Sequence, residues 1–223
     1  MEKEKDKKTI VKILKILENY EDIKKAPVFE FKKMNQTPFQ ILISTLLSAR
    51  TRDEITIKVV KNLFSKYSTP EEISKLNLKE LERLLKPIGF YRSKAKYVHE
   101  ISKIIVEKGY PKRYEEFIEL PGVGRKIANI VYSEVYDEDL IGVDVHVHRI
   151  SNRLGIVNTK NPHETEKVLE KITPKKYKKV LNLYFVALGQ TICKAKPQCE
   201  ICKLSSLCEY YKINRKLVNK IYK

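Results

Sequence analysis

The sequence predicts an all-α protein, on three observations. Only 7 glycines occur among 223 residues, and tight hairpins draw on Gly or Asn at positive φ, so a many-stranded sheet is disfavoured. Helix-start patterns recur along the chain, each a polar cap followed by Pro, Glu or Gln. Apolar residues recur three and four positions apart rather than two.

Ile10, Ile13, Leu14 and Leu17 mark one face of a first helix. Thr37-Pro38-Phe39-Gln40 offers an N-cap, Pro at N1 and Gln at N3, and Thr51-Arg52-Asp53-Glu54 repeats the capping-box pattern. Thr69-Pro70-Glu71-Glu72 opens another helix. Leu78, Leu81, Leu84 and Leu85 form the next apolar stripe, stopped by Pro87 and Gly89. Val98, Ile101, Ile104 and Ile105 carry a long helix to Gly109, and a short helical segment follows over 114–118. An apolar helix is expected over 127–135, then one capped by Asp144 and ending near Leu154-Gly155. Asn161-Pro162-His163-Glu164 starts a further helix. Thr173-Pro174 opens a long one through Val180, Leu183, Tyr184, Ala187 and Leu188. Ten or eleven helices and no strand pair are expected, with the first six residues and the last few frayed. No long Gly/Ser/Pro linker divides the chain, so any two lobes are joined closely.

Forty-five Lys and Arg against 28 Asp and Glu leave a net charge of +17 and a pI near 9.6. That charge points to an anionic partner, nucleic acid foremost, with a solvated lysine-rich surface as the plain alternative. Hydrophobic residues at 42% and charged residues at 33% argue against general disorder. The longest apolar run, 183–188, is too short to span a bilayer. The basic N-terminus has no apolar stretch behind it, so no secretory signal is read. A cytoplasmic protein without a membrane role is the expectation.

Three motifs carry chemistry. In Leu120-Pro121-Gly122-Val123-Gly124-Arg125-Lys126, two glycines flanking Val123 permit a tight turn between helices, with the valine tucked inside. The amides that open the second helix then suit a phosphate. Gly-x-Gly alone would be a plain turn; the complete string is far more specific.

In Val143-Asp144-Val145-His146-Val147-His148-Arg149, Asp144 is a natural N-cap and stays ionised readily there. It is therefore suited to stabilising a developing positive charge. His146 and His148 lack obvious ligand partners and are read as packing or hydrogen-bonding residues. Finally, Cys193, Cys199, Cys202 and Cys208 crowd one short loop with Lys194, Lys196 and Lys203. Four thiolates so placed bind Zn²⁺ or a [4Fe–4S] cluster, and spacing alone does not choose. A disulfide framework would be spread along the chain.

In this order, from about Phe39 to Cys208, the motifs resemble the endonuclease III family of DNA glycosylases. Leu46-Leu47-Ser48-Ala49-Arg50-Thr51-Arg52-Asp53 is similar to its first DNA-entering loop, and Ile88-Gly89-Phe90-Tyr91-Arg92-Ser93-Lys94-Ala95 to its second. The resemblance implies an all-α, two-lobe helix-hairpin-helix fold with a cleft between the lobes. A six-helix lobe would cover 30–142. A second helical lobe, residues 1–29 with 143–223, would carry a [4Fe–4S] cluster on Cys193, Cys199, Cys202 and Cys208.

By the same resemblance Lys126 is the nucleophile and Asp144 the catalytic aspartate of a bifunctional glycosylase and abasic-site lyase acting on oxidised pyrimidines. Arg50, Phe90, Gly122, Val123, Gly124, Arg125, Lys194 and Lys196 would contact damaged double-stranded DNA, and the enzyme would be a monomer. The chain departs from the family pattern at five points. Five residues rather than six separate the first two cysteines. Arg50 replaces Gln, Phe90 replaces Leu, and Ile127 and Val145 replace Thr. These differences bear on lesion and opposite-base choice. Two other readings are a mismatch-directed glycosylase for T or U opposite G, and a non-enzymatic DNA-binding scaffold with a structural metal. A scaffold would need neither Lys126 nor Asp144.

Overall fold

The computed structural model describes residues 2–34 and 36–221, with only the backbone of 2–6 and 216–221. The expected fraying falls on residues whose side chains lie outside that set, although the first helix is helical from Glu2. Among the described residues there is no strand, and no helix is long and apolar enough to cross a membrane.

The chain divides into two compact units, one formed by Met1–Lys32 with Asp139–Lys223 and the other by Lys33–Glu138. The first holds α1 (Glu2–Glu18), α2 (Pro27–Lys32), α10 (Val145–Leu154), α11 (Pro162–Ile172), α12 (Lys178–Thr191) and α13 (Glu209–Ile221). Here α1 packs on α11 and α12, and α10 packs on α11, α12 and α13. The predicted stripe of Ile10, Ile13, Leu14 and Leu17 is fully buried in this core with Phe185 and Leu188. Each such side chain contributes about 1.5–3 kcal/mol by leaving water.

The second unit holds α3 (Pro38–Ser48), α4 (Asp53–Phe64), α5 (Pro70–Ser74), α6 (Leu78–Leu85), α7 (Tyr91–Lys108), α8 (Tyr114–Ile118) and α9 (Arg125–Tyr136). α7 packs against α5 and α6, and α3 lies against α9. Leu42, Leu46, Leu81, Leu85, Val98, Ile101 and Phe117 are its centre.

Side-chain capping accounts for several starts. Thr37 and Thr69 form complete capping boxes with Gln40 and Glu72, and Asn161 accepts from the Glu164 amide. Two starts differ from the sequence reading. α4 begins at Asp53 with Arg52 at the N-cap, because the Thr51 hydroxyl accepts the Gly89 amide at 3.1 Å instead. Thr173 ends α11 rather than opening a helix. A 3₁₀ turn over Lys175–Tyr177 intervenes before α12 starts at Lys178. The helix count also exceeds the expectation, because pieces as short as α2 carry too few residues to show a period.

Candidate functional site

α8 and α9 form the hairpin. Val123 donates to the Leu120 carbonyl at 3.1 Å, Gly122 sits at φ 73°, and the Val123 side chain is buried beside Leu120 in the core. Aromatic contacts lock the two helices: Tyr114 and Phe117 each meet Tyr132 edge-on at 5.7 Å, and Tyr114 Oη donates to Asn129 Oδ1 at 2.6 Å. Gly124 is the N-cap of α9 and, having no side chain, leaves the first-turn amides without a side-chain cap. That end of α9 carries partial positive charge suited to an anion. Lys126 stands half-buried in this first turn.

In the same unit the structure brings Arg50 and Phe90 together. Both are exposed, and both adopt left-handed backbone, at φ 54° and 59°. The Arg50 guanidinium lies 5.4 Å from the Phe90 ring centre, a cation–π contact. Beneath them Lys94, buried to 6% exposure, donates to the Leu47 carbonyl at 2.8 Å, to Thr51 Oγ1 at 3.2 Å and to the Ala49 carbonyl. Burial, with the Lys126 charge adding to it, pushes Lys94 down to about 8.

Asp144 lies in the other unit as the N-cap of α10. Its Oδ1 accepts from the His146 and Val147 amides, both at 2.9 Å. Neighbouring Val145 is two-thirds exposed. The two histidines make local polar contacts: His146 Nδ1 accepts from Arg149 Nη2 at 3.0 Å, and His148 Nδ1 lies 2.7 Å from Thr165 Oγ1.

All four cysteines border a single pocket, walled also by Leu154, Ile192 and Leu204. Among the described residues no three His, Cys, Asp or Glu side chains converge tightly enough to hold one metal ion. The donor set the residues offer is four thiols lining one pocket. Burial pushes Cys202 up to about 11 and raises Cys199 and Cys208, with neighbouring thiolates adding to the effect. Thiolates gathered and buried in this way are costly unless a bound cation offsets their charge.

Arginines tie the loop down. Arg153 donates to the Lys194 and Ala195 carbonyls at 2.6 and 2.9 Å and to Cys193 Sγ at 3.4 Å. Arg149 Nη2 reaches the Cys193 carbonyl at 3.0 Å. Lys194 and Lys196 are exposed on the same loop. Sequence reasoning missed Thr51, Lys94, Arg149 and Arg153, because no local pattern marks a side chain whose partners lie about forty residues away.

An all-helical chain with this hairpin and a four-cysteine loop defines a class of DNA repair protein. Residues 43–175 match the model of the HhH-GPD superfamily base excision DNA repair protein. The chain belongs to that superfamily and, within it, to the endonuclease III family. It is 49% identical to endonuclease III of Thermotoga maritima over 179 residues, covering 78% of this chain and 84% of the relative. It is 40% identical to the Bacillus subtilis endonuclease III over 187 residues, covering 82% and 85%. Its fold is similar to that of endonuclease III in a trapped covalent intermediate with DNA (TM-score 0.81, 35% identity, 94% of this chain and 98% of that one). It is also similar to a thermostable thymine-DNA glycosylase (TM-score 0.80, 26% identity, the same coverage).

Proposed function

We propose that this chain is a bifunctional DNA glycosylase and abasic-site lyase of base excision repair that removes oxidised pyrimidines. The observation that carries the reading is Lys126 in the uncapped first turn of α9, in a chain 49% identical to an endonuclease III. The backbone amides of the Gly122–Arg125 turn hold the sugar-phosphate backbone without reading sequence, helped by Lys194 and Lys196. The damaged base leaves the stack before an amine can reach its sugar. Phe90 fills the vacated space and Arg50 contacts the estranged partner.

Lys126 Nζ, after giving up a proton, attacks C1′, and the bond from C1′ to the base breaks with its electron pair leaving on the base. Asp144, held by the amides at its helix N-terminus, supports the positive charge that builds on the sugar. The sugar ring opens to an imine on Lys126. The imine acidifies the 2′ proton, whose loss expels the 3′ phosphate with its electron pair. Water then releases the lysine. Cys193, Cys199, Cys202 and Cys208 would hold a [4Fe–4S] cluster, which supplies a rigid scaffold for the basic loop. The enzyme works as a cytoplasmic monomer on nucleoid DNA.

Similarity to a thymine-DNA glycosylase favours one second reading, removal of T or U opposite G. Duplexes carrying an oxidised pyrimidine, an abasic site, uracil or a mismatched thymine separate the two by which are cut. Borohydride should trap a covalent adduct on the oxidised-pyrimidine and abasic duplexes. Lys126→Gln should bind yet neither trap nor cut. Trapping by Lys126→Gln would overturn the assignment, and base release without any trapping by the wild type would indicate a monofunctional enzyme.

A further inference from the structure

We propose that Lys94 is a positioning residue that sets Arg50 and Phe90 as one preassembled wedge, so that handling of duplex lesions depends on an ammonium group that does not itself touch DNA. The proposal rests on the reading that the chain acts on damaged duplexes through Lys126.

Lys94 lies in the first turn of α7, and its backbone amide donates to the Phe90 carbonyl at 3.1 Å. Its side chain grips the turn on both sides of Arg50, through the Ala49 carbonyl and the Thr51 hydroxyl. A third bond, to the Leu47 carbonyl at 2.8 Å, anchors the grip to the last turn of α3. The carbonyls at that helix end carry partial negative charge and need donors, so a buried ammonium is a suitable partner. One residue therefore holds the backbone of both tips.

A second link runs directly between the loops. The Gly89 amide donates to the same Thr51 hydroxyl at 3.1 Å. A methyl on Gly89 would stand 2.6 Å from the Arg50 carbonyl oxygen, so the two backbones meet where a side chain would not fit. Arg50 and Phe90 both hold left-handed φ, a conformation that persists for such residues only when surrounding contacts enforce it. Lys94 and Thr51 supply those contacts. A stability role alone does not account for placing a lysine here, because burying an ammonium is costly. The return is a fixed geometry at two exposed side chains.

The test compares borohydride trapping on an abasic duplex with trapping on the same abasic strand unpaired, where no gap needs filling and no partner base is left behind. A duplex with 2-aminopurine opposite a tetrahydrofuran abasic analogue reports the wedge directly through its fluorescence. Lys94→Met should lower the duplex-to-single-strand trapping ratio about tenfold, the scale expected of a misplaced positioning element, and lose most of the 2-aminopurine response. Thr51→Val, which removes one link without altering the buried charge, should shift both readouts the same way by a smaller factor. Lys94→Arg should recover part of the ratio.

A wild-type ratio and wild-type fluorescence in Lys94→Met would overturn the proposal. If Lys94→Met has no cooperative melt, Thr51→Val decides, and its unchanged ratio would overturn it equally. If the wild type traps neither substrate, the Lys126 reading fails instead, and the 2-aminopurine response still decides the role of Lys94.

Discussion

The Tyr97 ring packs against Gly122, so that a Cβ added to the glycine would stand 2.4 Å from Tyr97 Cδ2. α7 and the hairpin turn thus meet at a position where both the contact and φ 73° demand glycine. Gly124 differs. Its φ is −94°, and a Cβ there meets nothing within 4 Å.

The two glycines therefore separate folding from DNA contact. Gly122→Ala should cost about 2 kcal/mol or more of stability, from strained backbone and the displaced ring. Gly124→Ala should melt within about 0.5 kcal/mol of the wild type. It should nevertheless bind undamaged duplex more weakly, because a methyl at the open end of α9 holds the phosphate away. Denaturant melts and fluorescence anisotropy across a salt series check both. Wild-type affinity should fall steeply with salt, and Gly124→Ala should flatten that slope by about one phosphate contact. Unchanged binding by Gly124→Ala would remove the amide–phosphate contact from the account.

The hairpin was legible because its chemistry is local. Two glycines, a valine and a following apolar helix lie within a few residues, and each constrains the next. The Asp144 cap was legible for the same reason, its acceptors being the amides two and three residues on. What the sequence hid was the use of side chains across distance. Thr51 reads as a cap by pattern, yet its hydroxyl serves Gly89 and Lys94. Nothing around Lys94 announces a buried ammonium, since its acceptors lie about forty-five residues earlier. The Arg153 grip on the cysteine loop was hidden by the same separation.

Asp144 holds two roles that substitution can part. As a cap, Asp144→Asn should lose only a few tenths of a kcal/mol, whereas Asp144→Ala should lose about 1–2 kcal/mol through its orphaned amides. Because its carboxylate side chain supports charge on the sugar, its loss should lower activity equally in both variants. Single-turnover base release should slow about a hundredfold or more in each. Asn variants with wild-type rates would leave Asp144 a cap and nothing else.

The cysteine loop predicts a colour. Anaerobically purified protein should be brown, with a broad visible absorbance and with iron and acid-labile sulfide in equal amounts. Cys199→Ser should lower both and reduce solubility, because the remaining buried thiols lose the cation that offsets them. Metal analysis showing stoichiometric zinc without iron would replace the cluster with a structural zinc site.

Lys94 gives a pH signature whose sign follows from its environment. In the unfolded chain it titrates near 10.5, and in the fold at about 8. Between those values the unfolded state binds more protons, so stability should rise with pH across the window. Below about pH 8 the ammonium is present in both states and its burial lowers stability. The gain accrues as the folded group gives up its proton first. The neutral amine has two hydrogens for the three oxygens that face it, so the grip on the Arg50 turn loosens as the fold strengthens. Thermal melts from pH 7.5 to 10.5 should therefore show a slope more positive in the wild type than in Lys94→Met, the difference isolating Lys94 from the other groups that titrate in this range. The 2-aminopurine response of the wild type should decline across the same range. Identical slopes in the two proteins would mean that Lys94 is hydrated and ordinary, and the account of it as a buried clamp would fail.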